Sequence, residues 1–377
     1  MALTRRDLLQ KLPALPLGAG LLWSGPAVAQ EHVRIAVGRF REKLSISGAG
    51  LRAKGADGVQ LSSRDTVTLS ASAGGISLAG KVLPYELLRF VGDDALEVKG
   101  HRYRKFLEVH WREYQGRPEL LVVHPLPMES YVAGIVSSEL PHRWPYEALK
   151  VQAICARTYA VWQKYRRLHL PYHLESSVLD QVYKGAQREH EDAHRAARDT
   201  AGQLLVFRRR PVRAYFHSTC GGHTESAAAG WGTPLAYLPG TKCPYCQGAP
   251  LYRWQAKLSA DKLERAFRHL IGGPVRSLEI VSRSGTQRAL KVKVRGARKS
   301  RTIRGDKLRQ LCGYNVLWST WFDRLDVVSG GLIASGRGAG HGVGMCQWGA
   351  RGMAKNGDSF EHIVKHYYPG ATLRRMY

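Results

Sequence analysis

The stretch between residues 127 and 141 constrains the fold more than any other part of this chain. Val132, Ile135 and Val136 recur at helical spacing, which predicts the buried face of an amphipathic helix. Glu139 comes four residues after Ile135, so at about 100° per residue it lies on the same apolar stripe. Pro141 disfavours a further turn. The sequence therefore predicts a carboxyl group in the last turn of a helix, among apolar side chains.

Two effects are expected to raise the pKa of Glu139. Burial disfavours the charged carboxylate, and the negative end of the helix dipole repels it. A carboxylic acid that stays protonated near neutral pH is what general acid catalysis requires. The plain alternative is that Glu139 turns outward to solvent or pairs with a nearby arginine.

The net charge of +27 on 377 residues indicates the class of partner. Such an excess of positive charge favours nucleic acid, a membrane surface or an acidic polymer. The hydrophobic and charged fractions, 44% and 23%, are ordinary for a globular protein. Beyond the N-terminus no segment reaches the ~18 apolar residues of a membrane span. We therefore expect a globular, polyanion-binding protein without a transmembrane segment.

The first 29 residues predict a cleavable leader. Arg5 and Arg6 form a twin-arginine pattern, a weakly apolar run follows at 12–28, and Ala-Val-Ala before Gln30 offers a cleavage site. The alternative is an N-terminal membrane anchor, which three prolines in the run disfavour. Cleavage would leave a net charge of about +25. Export to the periplasm or cell envelope by the twin-arginine route argues against nucleic acid as the partner.

The rest of the chain predicts an α+β fold in four parts. Residues 30–123 alternate apolar and polar side chains between glycines, which indicates a β-rich N-terminal region. Residues 124–250 and 329–377 are expected to form a mixed helical and β-rich core that encloses a substrate cleft. Residues 251–328 indicate an inserted α+β subdomain, with Ser259 capping its first helix.

Four metal-ligating residues stand in two pairs. Cys220 and His223 form a Cys-x2-His pair, and Cys243 and Cys246 form a Cys-x2-Cys pair about 20 residues later. This layout is typical of a closed, structural zinc site. A disulfide between Cys243 and Cys246, or free thiols, are the alternatives. His217 is the alternative fourth ligand.

Glycines crowd the segment 336–350, around His341. Glycine lets a backbone approach a substrate closely and adopt positive φ. The segment lacks the Gly-Lys-Ser/Thr ending of a phosphate loop. His341 is therefore a candidate cleft residue, and the alternative is that it only hydrogen-bonds the glycine turns.

Six motifs in a fixed order resemble the stage II sporulation protein D family of peptidoglycan lytic transglycosylases, which includes amidase enhancers. They lie at residues 126–141, 148–153, 156–160, 181–185, 216–222 and 340–350. Together they span roughly 270 residues, from about Tyr103 to the C-terminus. The family usually has an aromatic residue, Ser and Tyr where this chain has Ala339, Cys346 and Trp348, so sugar stacking at position 339 is not expected.

The resemblance implies roles for individual residues. Glu139 takes the place of the family's catalytic acid/base in its Glu-hydrophobic-Pro motif, and His341 would orient Glu139 or a sugar hydroxyl. Arg157 lies off the apolar stripe of a predicted helix at about 145–167. It could grip a substrate carboxylate, or form a structural ion pair with Glu139 or Glu129. The other expected substrate contacts are Gln181, Tyr183, His217, Ser218 and Gln347.

The resulting expectation is an exported lytic transglycosylase that acts on peptide-free peptidoglycan glycan strands and produces 1,6-anhydro ends. A cell-wall amidase is a further expected partner. Two rivals remain: a glycan-binding amidase enhancer without catalysis, and a zinc hydrolase using the Cys220, His223, Cys243 and Cys246 set.

Overall fold

The computed structural model describes residues 31–377 except 56, 59, 63, 64, 177–179 and 182. The predicted leader at 1–29 lies outside the described residues. These residues form both helices and strands, and the strands are arranged in several sheets. The predicted α+β class is therefore confirmed. No helix of the described residues has the length and apolar character needed to cross a bilayer.

An 11-stranded, largely antiparallel sheet makes up the N-terminal part of the described chain. Its long central strands are β8 (Leu87–Val98), β9 (His101–Tyr114) and β10 (Arg117–Pro127), and β10 pairs with β1 (His32–Phe40). The other strands are β2 (Lys43–Ser47), β3 (Arg52–Lys54), β4 (Gln60–Ser62), β5 (Thr66–Ser72), β6 (Gly75–Leu78), β7 (Lys81–Val82) and β11 (Leu174–Glu175). The β-rich character expected for this region is thus observed.

Helix α1 (Met128–Glu139) starts where β10 ends and packs against the next two helices, α2 (Tyr146–Arg166) and α3 (Glu191–Asp199). Its apolar stripe is fully buried, as the spacing of Val132, Ile135 and Val136 predicted. Burial of each such side chain contributes about 1.5–3 kcal/mol to stability. Glu139 is the last residue of α1, and Leu140 leaves the helix in an extended conformation before Pro141.

Helix α2 is buried over most of its circumference. More of its residues are therefore buried than its one-sided apolar pattern predicted. Cys155 is fully buried, as expected, but so is Arg157, which the pattern places off the apolar stripe. The reason is position: α1, α3 and strand β12 (Gln203–Phe207) all pack against α2.

A second core joins the middle of the chain to its C-terminus. Strand β14 (Phe216–His217) pairs in parallel with β21 (Met345–Cys346), although 128 residues separate them. The remaining elements are β13 (Arg210–Pro211), α4 (Ala227–Trp231), α7 (Gln347–Lys355), α8 (Phe360–Tyr367), β22 (Thr372–Arg375) and two 3-10 turns, Gly185–Arg188 and Pro244–Cys246.

A third core contains two three-stranded sheets and two helices. Its elements are β15 (Arg253–Ser259), α5 (Ala260–Ile271), β16 (Val275–Arg283), β17 (Ala289–Gly296), β18 (Ser300–Arg304), α6 (Gly305–Cys312), β19 (Phe322–Val328) and β20 (Gly331–Arg337). Ser259 occupies the N-cap position of α5, but its hydroxyl makes no capping hydrogen bond. Strand β20 lies between β15 and β19, so this core includes residues beyond 328, where sequence reasoning ended it.

Candidate functional site

Glu139 meets the C-terminal core at the end of α1. The Nε2 atom of Gln347 donates a hydrogen bond to Glu139 Oε2 at 3.1 Å, which joins residues 208 positions apart. Gln347 is the first residue of α7 and is itself buried. Two expected site residues, Glu139 and Gln347, are therefore in direct contact.

Burial raises the pKa of Glu139 above its ordinary value. The hydrogen bond from Gln347 and the positive charge of Lys184 oppose this effect, because both favour the carboxylate. The direction agrees with the expectation from sequence. Among the causes acting on this carboxyl, burial is the largest and the one that raises its pKa, so desolvation rather than charge repulsion accounts for the direction.

A second glutamine extends this contact into the protein. Gln347 Nε2 also donates to Gln152 Oε1 at 3.3 Å, and Gln152 is fully buried in α2. The Nε2 atom of Gln152 has no hydrogen-bond partner among the described residues. Sequence reasoning did not single out Gln152; its polarity within a buried helix was the available signal.

Gln181 and Tyr183 are both buried beside α1. The Tyr131 hydroxyl donates to Gln181 Oε1, while Gln181 Nε2 has no partner in the described chain. The Tyr183 ring packs on Gly134, where a Cβ atom would lie 2.7 Å from the ring. Tyr183 is thus a core residue that supports α1, and its expected role as a substrate contact stays a prediction that this burial disfavours.

The Arg157 guanidinium links several elements of the fold through hydrogen bonds. Its buried guanidinium donates to both carboxylate oxygens of Glu129, at 3.0 Å from Nε and 2.5 Å from Nη2. It also donates to the backbone oxygens of Ala197 and Gln203 and to the Thr200 hydroxyl. The alternative of an ion pair with Glu129 is therefore observed, and a contact between Arg157 and a substrate carboxylate stays a prediction that the burial of this side chain disfavours.

Val343 fixes the two expected cleft histidines through its backbone. Its N–H donates to His341 Nδ1 at 3.1 Å, and its carbonyl accepts from His217 Nδ1 at 3.2 Å. His341 Nδ1 must then be unprotonated, whereas His217 carries its proton on Nδ1. The rings lie 5.4 Å apart between centroids. Burial, His341 and Arg288 lower the pKa of His217, so this ring is neutral.

Ser218 enters the site through its backbone. The carbonyl oxygen of Ser218 accepts a hydrogen bond from Trp348 N at 3.1 Å, immediately after the pairing of His217 with Cys346. The glycine-rich segment thus lies directly against residues 216–219. At Gly340 a Cβ would lie 2.7 Å from His217 Cβ, so this close approach requires glycine.

Four buried cysteines form a candidate metal centre: Cys220, Cys243, Cys246 and Cys346, whose sulfur atoms all lie within 4.8 Å of one another. We refer to these four residues as the sulfur cluster. Cys346 replaces His223, which was expected as the fourth ligand. The His223 ring instead hydrogen-bonds the backbone oxygen of Thr224 through Nδ1 at 2.7 Å. His217, the other alternative, is held by Val343.

Hydrogen-bond donors surround the sulfur cluster, as expected for metal-bound thiolates. Cys346 Sγ accepts from the N–H groups of Cys220 and Gly349, at 3.2 and 3.3 Å. Cys220 Sγ accepts from Gly222 N, and Cys243 Sγ lies 3.1 Å from the Tyr367 hydroxyl. Four soft ligands in a buried, closed arrangement fit a tetrahedral structural ion and leave no open coordination position for catalysis.

Sequence reasoning missed Cys346 because no short spacing connects it with the other three cysteines. The available signal was the cysteine itself, which stands in the glycine-rich motif where serine is usual. The alternative of a Cys243–Cys246 disulfide is not observed, because all the cysteines of the described residues are free.

Comparison with known proteins gives the following relatives. A family model described as stage II sporulation protein matches residues 116–207, and one described as a domain of unknown function matches 244–344. Stage II sporulation protein D of Bacillus subtilis is 30% identical over 266 residues, 67% of this chain and 75% of the relative. An uncharacterized protein of Brachyspira hyodysenteriae is 32% identical over 261 residues, 67% of this chain and 68% of the relative.

A more distant relative is named amidase enhancer, from Bacillus subtilis. It is 28% identical over 290 residues, which cover 64% of this chain and 40% of the relative. The first family model covers α1, with Glu139, and α2. From these similarities, this chain belongs to the stage II sporulation protein D family.

Proposed function

We propose that this protein is an exported lytic transglycosylase that cleaves peptidoglycan glycan strands between N-acetylmuramic acid and N-acetylglucosamine. Membership in the family and similarity to an amidase enhancer support a role at the cell wall. The observation that carries the enzymatic proposal is Glu139: a half-buried carboxyl with a raised pKa, held by one amide donor.

The proposed reaction needs one group that first gives and then takes a proton. Glu139 donates its proton to the glycosidic oxygen as the bond to C1 of the muramic acid breaks, and N-acetylglucosamine leaves with a new hydroxyl. The carboxylate then accepts the proton of the muramic acid's own 6-hydroxyl, whose oxygen attacks C1. This closes the 1,6-anhydro ring, returns Glu139 to its protonated form and consumes no water.

A single carboxylate suits this reaction better than ordinary glycoside hydrolysis, which uses two. The contact from Gln347 would stabilise the charged form of Glu139 that exists between the two proton transfers.

The proposed substrate is a strand from which stem peptides have been removed, since this exposes the lactyl carboxylates. The excess of positive charge suits such a polyanion. The buried Arg157 is engaged by Glu129, whereas Lys184 places a positive charge near Glu139. The proposed location, the periplasm or cell envelope, rests on the twin-arginine pattern of residues 1–29.

The experiment is mass spectrometry of glycan products. Purified peptidoglycan, with and without amidase pretreatment, is incubated with the protein lacking its leader. We expect muramic acid ends that lack one water relative to reducing ends, and a higher yield after pretreatment. Reducing ends as the main product would indicate hydrolysis and contradict the proposal.

The second candidate is an amidase enhancer that binds glycan without cleaving it. The similarity to a relative of that name favours it, and it would act together with a cell-wall amidase. Strand binding without anhydro products, accompanied by faster peptide release when an amidase is added, would select this alternative.

The metal in the sulfur cluster is proposed to be zinc, in a structural role. Four cysteine ligands are typical of structural zinc, here from three segments of the chain, and a buried, closed set argues against a zinc hydrolase. Elemental analysis of protein purified without chelator should find one zinc per chain. Zinc-free protein that does not take up the ion would contradict this.

A further inference from the structure

The sulfur cluster adjoins the contact to Glu139 through a single peptide bond. Cys346 contributes its sulfur to the cluster, and the next residue, Gln347, donates the hydrogen bond to Glu139. Cys346 is also the N-cap of α7, because its sulfur accepts the Gly349 N–H. One side chain therefore fixes both the cluster and the start of the helix that presents Gln347.

A second segment, residues 217–220, lies alongside the segment that carries Cys346 and Gln347. His217 pairs with Cys346, the Ser218 carbonyl accepts from Trp348 N, and Cys220 donates its N–H to Cys346 Sγ. The two segments thus run side by side from the cluster to the candidate site. Strands β14 and β21 are only two residues long, and further backbone hydrogen bonds join the two segments beyond them, between Thr219 and Ala339 and from Met345 N to the Tyr215 carbonyl.

The third core reaches the sulfur cluster through Arg288. Its guanidinium is buried, donates from Nη2 to the Cys220 carbonyl at 2.6 Å, and lies against Gly342, where a Cβ atom would approach Cζ to 2.6 Å. Nε and Nη1 have no hydrogen-bond partner among the described residues. Glu225 places one carboxylate close enough to act on this guanidinium. Four thiolates around one divalent cation remain net negative, so a metal-loaded cluster would supply further compensating charge to this buried cation.

We infer that a metal ion in the sulfur cluster positions Gln347 against Glu139, with Arg288 as the counter-charge of the cluster. This inference rests on the proposed function for the importance of the Glu139 contact. The metal fixes Cys346 relative to Cys220, Cys346 fixes the first turn of α7, and that turn directs the Gln347 amide toward the carboxyl. Gln347 is a positioning residue in this account.

Hydrogen exchange on the intact mature chain tests the positioning. The protein is compared as purified, after zinc removal by a chelator, and after zinc is added back. We expect zinc loss to accelerate exchange in residues 216–223 and 345–352 while β8 to β10 keep their protection, and added zinc to restore the slow exchange. Unchanged exchange at 345–352 in zinc-free protein would overturn the inference.

Two pairs of variants sharpen the test. Cys346→Ser should lose zinc and accelerate exchange at 345–352, whereas Cys312→Ser, a buried thiol outside the sulfur cluster, should change neither. Arg288→Gln should release zinc to a competing chelator about 10–100-fold more readily. The matched control is Arg309→Gln, whose buried guanidinium donates to the Leu317 carbonyl. Equal zinc retention in the two arginine variants would exclude the counter-charge role.

The same samples separate this inference from the proposed function. If zinc-dependent exchange is observed but no preparation forms anhydro products, the cluster positions Gln347 and the transglycosylase proposal fails. If products form equally with and without zinc, Glu139 is active and the positioning inference fails.

Discussion

Helix α1 carries a glutamate at each end, and the two differ in almost every property except residue type. Glu129, in the first turn, accepts hydrogen bonds from Arg157, Gly202 N and the Tyr377 hydroxyl. Glu139, in the last turn, is held by the Gln347 amide and has a raised pKa because of burial. The helix dipole favours a negative charge at the first position and disfavours it at the second.

The difference shows how surroundings separate a structural carboxylate from one that is suited to proton transfer. A carboxylate that accepts from several donors, one of them a buried guanidinium, links elements of the fold, here α1, α2 and the C-terminus. A carboxyl with little compensation keeps its proton and can give it away. Four predictions test this contrast, in order of decreasing expected effect.

The largest effect is expected from replacing Glu139, measured as the yield of anhydro products. Glu139→Gln preserves the shape but cannot donate a proton, so formation of anhydro products should fall about 100- to 10,000-fold. Folding and strand binding should persist. Glu113→Gln, on the exposed part of β9, is the control with normal product yield. Wild-type yield from the Glu139 variant would refute its role.

At Glu129 the expected effect is a loss of stability. Arg157→Met leaves Glu129 without its ion-pair partner and should lower the free energy of unfolding by about 3 kcal/mol. Arg143→Met, at an exposed position, should change it little. Combining Arg157→Met with Glu129→Gln should recover part of the loss, because the stranded charge is removed. A stable Arg157→Met protein that binds strands poorly would instead restore the expectation from sequence.

A smaller effect is expected from the donor to Glu139. Gln347→Leu removes a hydrogen bond that favours the carboxylate, so the pKa of Glu139 should rise further and the alkaline limb of the pH–activity profile should move to higher pH. Gln187→Leu, on an exposed 3-10 turn, is the control. An unchanged profile, with lower activity at every pH, would indicate that Gln347 acts only on packing.

The smallest effect is the pH dependence of stability. Because the folded pKa of Glu139 is raised, this group contributes stability below its unfolded pKa and loses it as pH rises through the folded value. Glu139→Gln should therefore match the wild type in acid and become the more stable protein as pH rises. Urea titrations across pH test this, and a constant difference between the two proteins would contradict it.

Local pattern was sufficient for some of these features. The helical spacing before Glu139 and the proline after it predicted both the end of α1 and the direction of the pKa shift. The Cys-x2-Cys pair predicted two members of the sulfur cluster, because its ligands are close in sequence.

Features that depend on distant segments could not be predicted. Cys346 joins the cluster through the parallel pairing of two-residue strands far apart in the chain. Arg157 is buried because α2 is surrounded by other elements, which a one-sided apolar stripe does not reveal. Arg288 reaches the sulfur cluster from the third core, and its sequence neighbours give no indication of that contact.

The central claim is that burial keeps Glu139 protonated for proton transfer. The most direct measurement is a carboxyl infrared titration of the folded protein, taken as the difference between the wild type and Glu139→Gln. We expect one carboxyl band, present only in the wild type, that persists to pH values above the ordinary range of glutamate. A difference band that disappears at or below the ordinary pKa of glutamate would contradict the account.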